Sequence, residues 1–351
     1  MSGFAQTPAS SNAQKALQWL QCTQQQATGQ IGSSGNPIAR SSEVAIGLAA
    51  AGQQASAMHA GAASLADYLK AATSTDVGTN GELLLARASV PDAGPIATVA
   101  AQLQTAKGAN GEYGSDIYSD ALAILGLRAA GQTVADDAVA FLKSQQKASG
   151  GWSADNADQY GEDSNTTALA IQALISTGVA STDSTIINGF AYLQSVFGGG
   201  GFGTSPGAGP DPNSDELAIQ AILAAHLQSD SSWQTRLDQA LSDLAGQQIA
   251  TGADAGAISS SFSKLFATSD APAAFLQRPL TARGVAESAV PLLACPAAAT
   301  ATATPQPTAT TAPILAQTGR PLDGRPLLAG LAVIALALCN IGRPRRRARA
   351  S

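Results

Sequence analysis

The feature that most constrains this chain is an internal repeat in which wholly apolar segments alternate with half-apolar ones. DALAILGLRAAG at 120–131, TALAIQALISTG at 167–178 and ELAIQAILAAHL at 216–227 align without gaps on Leu122, Leu169 and Leu217, 47 and then 48 residues apart. SEVAIGLAAAG at 42–52 is a fourth copy, GELLLARAS at 81–89 a weaker one, and LFATSDAPAAFLQ at 265–277 the last. Each copy is apolar or small almost throughout, which marks a helix buried on most sides. Self-similarity at such a period indicates stacked supersecondary units.

Between the copies lie amphipathic segments at 13–24, 63–72, 95–106, 134–146, 186–196 and 233–248. In the fourth, Ala138, Phe141, Leu142 and Gln145 recur at three- and four-residue steps, the spacing of one helical stripe. Helices buried on most sides must sit inside others. Six of each kind in alternation predict an all-α fold in which an inner ring is enclosed by an outer ring. An open solenoid of helix pairs is the competing arrangement, but it would leave one face of segments such as LAIQALI wet.

Loops after the outer segments are rich in Gly: GANGEYGSD at 108–116, SGGWSADNADQYGEDSNT at 149–166 and GGGGFGTSPGAGPDPNSD at 198–215. Each sets an aromatic just after Gly: Tyr113, Trp152 and Phe202. Gln146, Gly150 and Trp152 complete Gln-x3-Gly-x-Trp, which resembles the repeat signature of squalene and oxidosqualene cyclases. The wider pattern, FLKSQQ, then GGW, then an apolar helix, resembles the prenyltransferase/squalene-oxidase repeat over roughly 13–280. The resemblance implies the α/α toroid of terpene cyclases, prenyltransferase β subunits, cobalamin carriers and complement thioester domains.

The family chemistries fit these residues poorly. Cyclases of the squalene type protonate an alkene with Asp-x-Asp-Asp, and the nearest match, Val134-Ala135-Asp136-Asp137, lacks the first Asp and opens an outer helix. There the acids read as first-turn residues favoured by the helix dipole. A prenyltransferase zinc site needs Asp, Cys and His, but only His59 and His226 exist, and His226 reads as a helix residue. The thioester motif is absent, and no nucleophile–base–orienter set can be assembled. No catalytic residue, metal or cofactor is predicted; cobalamin is permitted by fold analogy alone.

Acids begin the inner helices: Asp116 and Asp120, Glu162 and Asp163, Asp215 and Glu216. In a ring all inner N-termini point to one pole. A ligand-binding mouth is therefore expected from Tyr113, Asp116, Tyr118, Trp152, Tyr160, Asp163, Phe202 and Asp215. The plainer alternative is that each acid, with Ser164, Thr166 and Ser214, caps its own helix and each aromatic packs a loop. DNADQYGEDSN lacks the spacing of a calcium-binding EF-hand loop. Cys22 and Cys295 flank the repeat region, and ring closure would make them neighbours, so a disulfide is expected; two buried thiols are the alternative.

The C-terminus reads as an address. Residues 296–313 contain only Pro, Ala, Thr and one Gln, so they have no face to bury and form a stalk. Extended as polyproline, the 18 residues span roughly 56 Å. The stalk's threonines are either O-glycosylated or a bare linker. The stalk leads into Leu315-Ala316-Gln317-Thr318-Gly319, an apolar run at 327–342 and an Arg-rich tail at 343–349, the segment 314–351 as a whole. The 16-residue run makes a helix of about 24 Å, short for a permanent span. The three-part order resembles a cell-wall sorting signal of the Leu-Ala-x-Thr-Gly kind used by sortases of some high-GC bacteria. That resemblance implies cleavage after Thr318 and linkage to the envelope, with the membrane engaged before processing. A permanent C-terminal membrane anchor is the alternative.

Both readings place the repeat region outside the membrane, at the cell surface. Residues 1–12, MSGFAQTPASSN, are expected to be disordered. They contain no signal-peptide h-region, so the exported chain is expected to start upstream.

Charge sets a limit on partners. Residues 1–313 hold 12 Lys and Arg against 24 Asp and Glu, a net −12, whereas 314–351 carry +6. An acidic body argues against nucleic acid as a partner. The leading expectation is therefore a surface-displayed, non-catalytic module for a small molecule or envelope glycan. A terpenoid-cyclase- or prenyltransferase-like enzyme and a structural or adhesion domain are the alternatives.

Overall fold

The computed structural model describes residues 7–156 and 159–296. Its inner helices are α2 (Pro37–Ala50), α4 (Val77–Ser89), α6 (Ile117–Ala129), α8 (Ser164–Ser176), α10 (Pro212–Ala224) and α12 (Lys264–Phe275). Its outer helices are α1 (Pro8–Trp19), α3 (Leu65–Ala71), α5 (Ala97–Ala106), α7 (Asp136–Ser144), α9 (Ser184–Ser195) and α11 (Ser231–Gly246). Each inner helix packs on the next, and α12 packs back on α2, so the ring closes as an α/α toroid.

Burial follows the two kinds of sequence segment. Every residue of α10 is buried, whereas α7 buries only Ala138 and Leu142. The inner ring is tightest between α4 and α6. A Cβ on Gly81 would stand 2.6 Å from the Leu122 carbonyl, and one on Gly126 would stand 2.5 Å from that of Gly81. The two backbones touch there because neither glycine carries a side chain.

All six inner helices have side-chain caps. Asn36, Asp76, Asp116, Asp163, Asp211 and Ser263 each accept a hydrogen bond from a first-turn backbone N–H, each contributing about 1 kcal/mol. The chain leaves most of these helices through a left-handed residue: Gly52, Gly131, Gly178, His226 or Gln277. His226 (φ 57°) lies just beyond α10 rather than inside it, at the position Gly178 takes one repeat earlier.

A device at each Gly-rich turn fastens outer to inner helices. One turn into the inner helix, a side-chain oxygen accepts the N–H of a fully buried residue that follows the glycine. The pairs are Ser41 with Ile31, Asp120 with Tyr113, Thr167 with Trp152, Asp215 with Phe202 and Thr268 with Ile258, at 2.7–3.0 Å. Gln146 Nε2 donates to its own turn at the Gly150 carbonyl and to Thr185 of the next outer helix, each at 2.8 Å. Gln25 bridges Gly29 and Met58 in the same way, and Gln248 bridges Gly256 and Asn12, joining the last turn to the first helix. Two short strand pairs, Trp152–Ser153 with Glu162–Asp163 and Phe197–Gly198 with Gly201–Phe202, finish these turns.

Beyond α12 the chain crosses the pole formed by the inner C-termini. Leu280 N donates to Gln172 of α8, and Ala286 N and Val290 N donate to the Ala49 and Ala51 carbonyls at the end of α2. Gln14 and Gln18 of α1 then donate to the Pro291 and Ala294 carbonyls. The strap ends in the Cys22–Cys295 disulfide, whose Cα atoms stand 5.4 Å apart. Cys22 sits in a π-helical turn, Leu20–Gln24, that prolongs α1.

The N-terminal boundary differs from expectation. α1 begins at Pro8, inside the stretch expected to be disordered, because Thr7 caps it and proline suits the first helical position. The stalk from residue 297, the motif at 315–319, the apolar run at 327–342 and the basic tail lie outside the described residues. Among the described residues no helix is long and apolar enough to cross a membrane.

Candidate functional site

The ring axis holds a cluster of charge. Arg40 and Glu43, one turn apart on α2, form an ion pair, and the Arg40 guanidinium lies over the Phe266 ring of α12, 3.9 Å from its centroid. Glu82 of α4, Tyr118 of α6, Glu216 of α10 and Asp270 of α12 interact electrostatically with this pair or with one another. α6 and α12 are not ring neighbours, nor are α2 and α10. Tyr118 therefore meets Asp270, and Glu43 meets Glu216, only across the axis.

Burial favours the neutral forms of these acids. Burial, opposed by Arg40, pushes the Glu82 carboxyl up to about 7, and Asp270 and Asp76 add to the rise. Burial also lifts Asp270 to about 6, with Arg40 pulling the other way. Glu43 is raised well above its usual value by burial, against Arg40. Glu216 is raised likewise, by burial and then by the charges of Asp270, Asp211, Asp215 and Glu43. One arginine among four acids leaves the rest to be neutralised by protons, because an unpaired buried charge is the costlier state.

Access comes from one end. Glu43, Glu82 and Glu216 are buried, but Arg40, Tyr118, Phe266 and Asp270 keep partial exposure. Arg40, Tyr118 and Phe266 lie in the first half of their helices, toward the pole of inner N-termini, and Asp270 lies at the middle of α12. The strap covers the opposite pole. Glu216 Oε1 has no hydrogen-bond partner, and Asn213 Nδ2 reaches only its other oxygen, at 3.5 Å.

The expected mouth residues divide. Asp116 and Asp163 cap helices at the open pole, and Tyr118 reaches the axial cluster. Tyr113, Trp152 and Phe202 do not rim the mouth. They are fully buried, because each is the residue whose N–H the adjoining inner helix captures. Trp152 also donates its indole N–H to the Leu142 carbonyl of α7. Tyr160 stays exposed on its loop. Asp215 lies between α10 and α11, where burial and then Asp243 push it up to about 9 against the Phe202 N–H. The cap of α10 is Asp211, so Glu216 is free to face inward. Asp136 and Asp137 open α7 on the outer ring.

Arg40, Glu43, Glu82 and Asp270 were not singled out from the sequence. Each stands alone in an apolar or small-residue run. The available signal was a single acid inside an otherwise buried helix, a placement that burial alone disfavours.

No family model matches the chain, and no curated protein is similar to it. Solved structures are. A type II terpene cyclase from Scytonema, in complex with its substrate geranylgeranyl dihydroxybenzoate, superposes with a TM-score of 0.57 at 14% identity, over 77% of this chain and 97% of the other. An ent-copalyl diphosphate synthase from Streptomyces platensis gives 0.50 at 16% identity, over 70% of this chain and 52% of the other. An unsaturated glucuronyl hydrolase specific for heparin gives 0.53 at 11% identity, over 77% and 96%. At these identities the likeness is one of fold: this is a terpenoid-cyclase-like α/α toroid.

The expectation of a non-catalytic ligand- or glycan-binding module is corrected by this comparison. The matching structures are enzymes, including type II cyclases captured with substrate and with product.

Proposed function

We propose that this chain is a terpenoid-cyclase-like enzyme that starts its reaction by protonating an alkene from the axial carboxyl cluster. The observation that carries the reading is a set of proton-holding acids around one arginine, reached from a single pole of a cyclase-like ring. The departure from Asp-x-Asp-Asp is then a difference of supply, with the carboxyls coming from separate helices rather than from one motif.

Asp270 is the proton donor in this scheme, because it combines a value near neutrality with exposure to the mouth. Its O–H bond breaks and leaves the electron pair on the carboxylate. The alkene π pair forms the new C–H bond, and the adjacent carbon becomes cationic. A second alkene closes the ring by attacking that carbon, and loss of a proton to water restores a neutral product. Arg40 stabilises the new carboxylate, and the Phe266 and Tyr118 rings offer π faces to the cation. Glu82, Glu43 and Glu216 supply the replacement proton.

The C-terminal motif supports display on the cell envelope, with sortase acting at Thr318. Recovery of a peptide ending at Thr318 and linked to envelope material tests that part; an intact C-terminus on surface protein opposes it.

The chemistry is tested with purified chain, a geranylgeranylated dihydroxybenzoate and D2O. The expected product is a cyclised isomer with one C–D bond, and Asp270→Asn abolishes it while the protein stays folded. Folded wild-type protein that leaves this substrate and linear polyprenes untouched would remove the proposal. That result would favour a structural or adhesion domain. Two open surface hollows lie off the axis. One, of 380 Å³, is lined by α7 and Thr177–Val179; the other, of 330 Å³, by Ser195–Gly199 and Gly207–Pro210.

A further inference from the structure

The open pole has an electrostatic character that bears on what enters it. Six inner-helix N-termini converge there, and their dipoles alone would attract an anion. Four of them are capped by carboxylates: Asp76, Asp116, Asp163 and Asp211. Deeper in, Glu43, Glu82 and Asp270 face one cation, Arg40, which Glu43 already engages, and Glu216 faces Asp270 and Glu43. Lys264, at the start of α12, is likewise engaged by Asp254. Tyr118 stays neutral, its hydroxyl held well above its ordinary value by burial and by the charges of Glu82, Asp270 and Glu43. From rim to base the acids outnumber the cations, and both cations are already paired.

A second observation points to an occupant. Glu216 is fully buried, interacts with Asp270 of the neighbouring α12 and with Glu43 across the axis, and leaves Oε1 without a partner. A buried acceptor in this state lacks a donor. At the rim, exposed Phe262 stacks edge-on against Phe266, with ring centroids 5.9 Å apart, and Phe266 carries Arg40 on its face. These two rings form an apolar wall beside the acids. Among the described residues no group of three or more acids, Cys or His is placed to hold a metal ion.

We propose that the substrate of this site carries a positively charged amine, held by Glu216 and Asp270 with its hydrocarbon against Phe262 and Phe266, and that a diphosphate is excluded. The word substrate rests on the acid-catalysis reading; the binding preference does not. Entry of the ammonium replaces protons held by the acid cluster, so binding releases protons near neutral pH. A diphosphate meets the same carboxyls as a like charge, which suppresses association.

Three ligands with one ten-carbon tail test this by titration calorimetry on the whole chain: geranylamine, geraniol and geranyl diphosphate. Geranylamine is expected to bind at least about tenfold more tightly than geraniol. Its heat is expected to differ between phosphate and Tris buffers, as proton release requires. The diphosphate is expected to give no binding. Glu216→Gln is expected to erase the preference for the amine while leaving geraniol binding in place. Asp270→Asn provides the same reading if Glu216→Gln does not fold. Diphosphate binding as tight as the amine's, or an amine preference intact in the folded variants, would overturn the proposal. Failure of deuterium incorporation with amine binding intact sinks only the acid chemistry.

Discussion

Cys22 and Cys295 are 273 residues apart in the chain and joined in space, closing the ring where its first outer helix meets the end of the strap. The bond makes the strap a covalent floor beneath the axis. Cutting it is expected to cost about 3–5 kcal/mol in the chain-entropy account of cross-links. Urea denaturation of the Cys22→Ser/Cys295→Ser protein against wild type measures this. Hydrogen exchange at Ala286 and Val290, which donate to α2, is expected to quicken in the same variant.

The turn glycines allow two effects to be separated. Gly150 has φ 93°, and a Cβ there would collide with the Asn188 carbonyl oxygen of α9, whereas Gly161 has φ 74° with open space around it. Gly161→Ala is expected to cost about 1 kcal/mol for backbone conformation alone. Gly150→Ala is expected to cost at least about 3 kcal/mol, because α9 must also move. Chemical denaturation midpoints of the two variants decide it; equal losses would refute the close approach.

Gln248 joins the last turn to the first helix through Asn12 and Gly256, each at 2.9 Å. Gln248→Ala leaves both carbonyls without this donor and is expected to cost about 1–2 kcal/mol. The readout is a lowered urea midpoint, together with faster proteolysis near the N-terminus. A midpoint unchanged from wild type would show that ring closure does not depend on this bridge.

The buried acids predict a protein that weakens toward alkali. Asp215 titrates near 3.9 unfolded, to a first approximation, and at about 9 when folded. Folding therefore favours its neutral form. The stability tied to it is complete below about pH 4 and is lost as pH rises through the folded value. Asp120, lifted to about 7 by burial, acts in the same sense. The urea midpoint is expected to fall between pH 5 and 9 by an amount that Asp215→Asn reduces, since the amide oxygen still accepts the Phe202 N–H. A midpoint rising over that range would contradict the buried, protonated state.

The helices were legible because burial leaves a periodic record. Segments such as LAIQALI have no polar stripe, so only an enclosed position suits them, and the flanking segments have one stripe each. The aromatics after glycine were legible as repeat markers, yet Trp152 and Phe202 were expected to face a ligand. Their burial follows from Thr167 and Asp215 capturing their N–H groups, contacts between residues 15 and 13 positions apart that no local pattern announces. Glu43, Glu82 and Asp270 had no signal in common, being single acids in three dissimilar runs.

The sequence by itself determined the alternation of buried and half-buried helices, because local periodicity suffices for it, and left the Cys22–Cys295 bond as one of two outcomes. Only the tertiary structure decided that acids from three inner helices surround Arg40 and that Glu216 of a fourth faces two of them. Ring closure alone brings non-neighbouring helices face to face, and it is the removal of water there that sets the protonation of those acids.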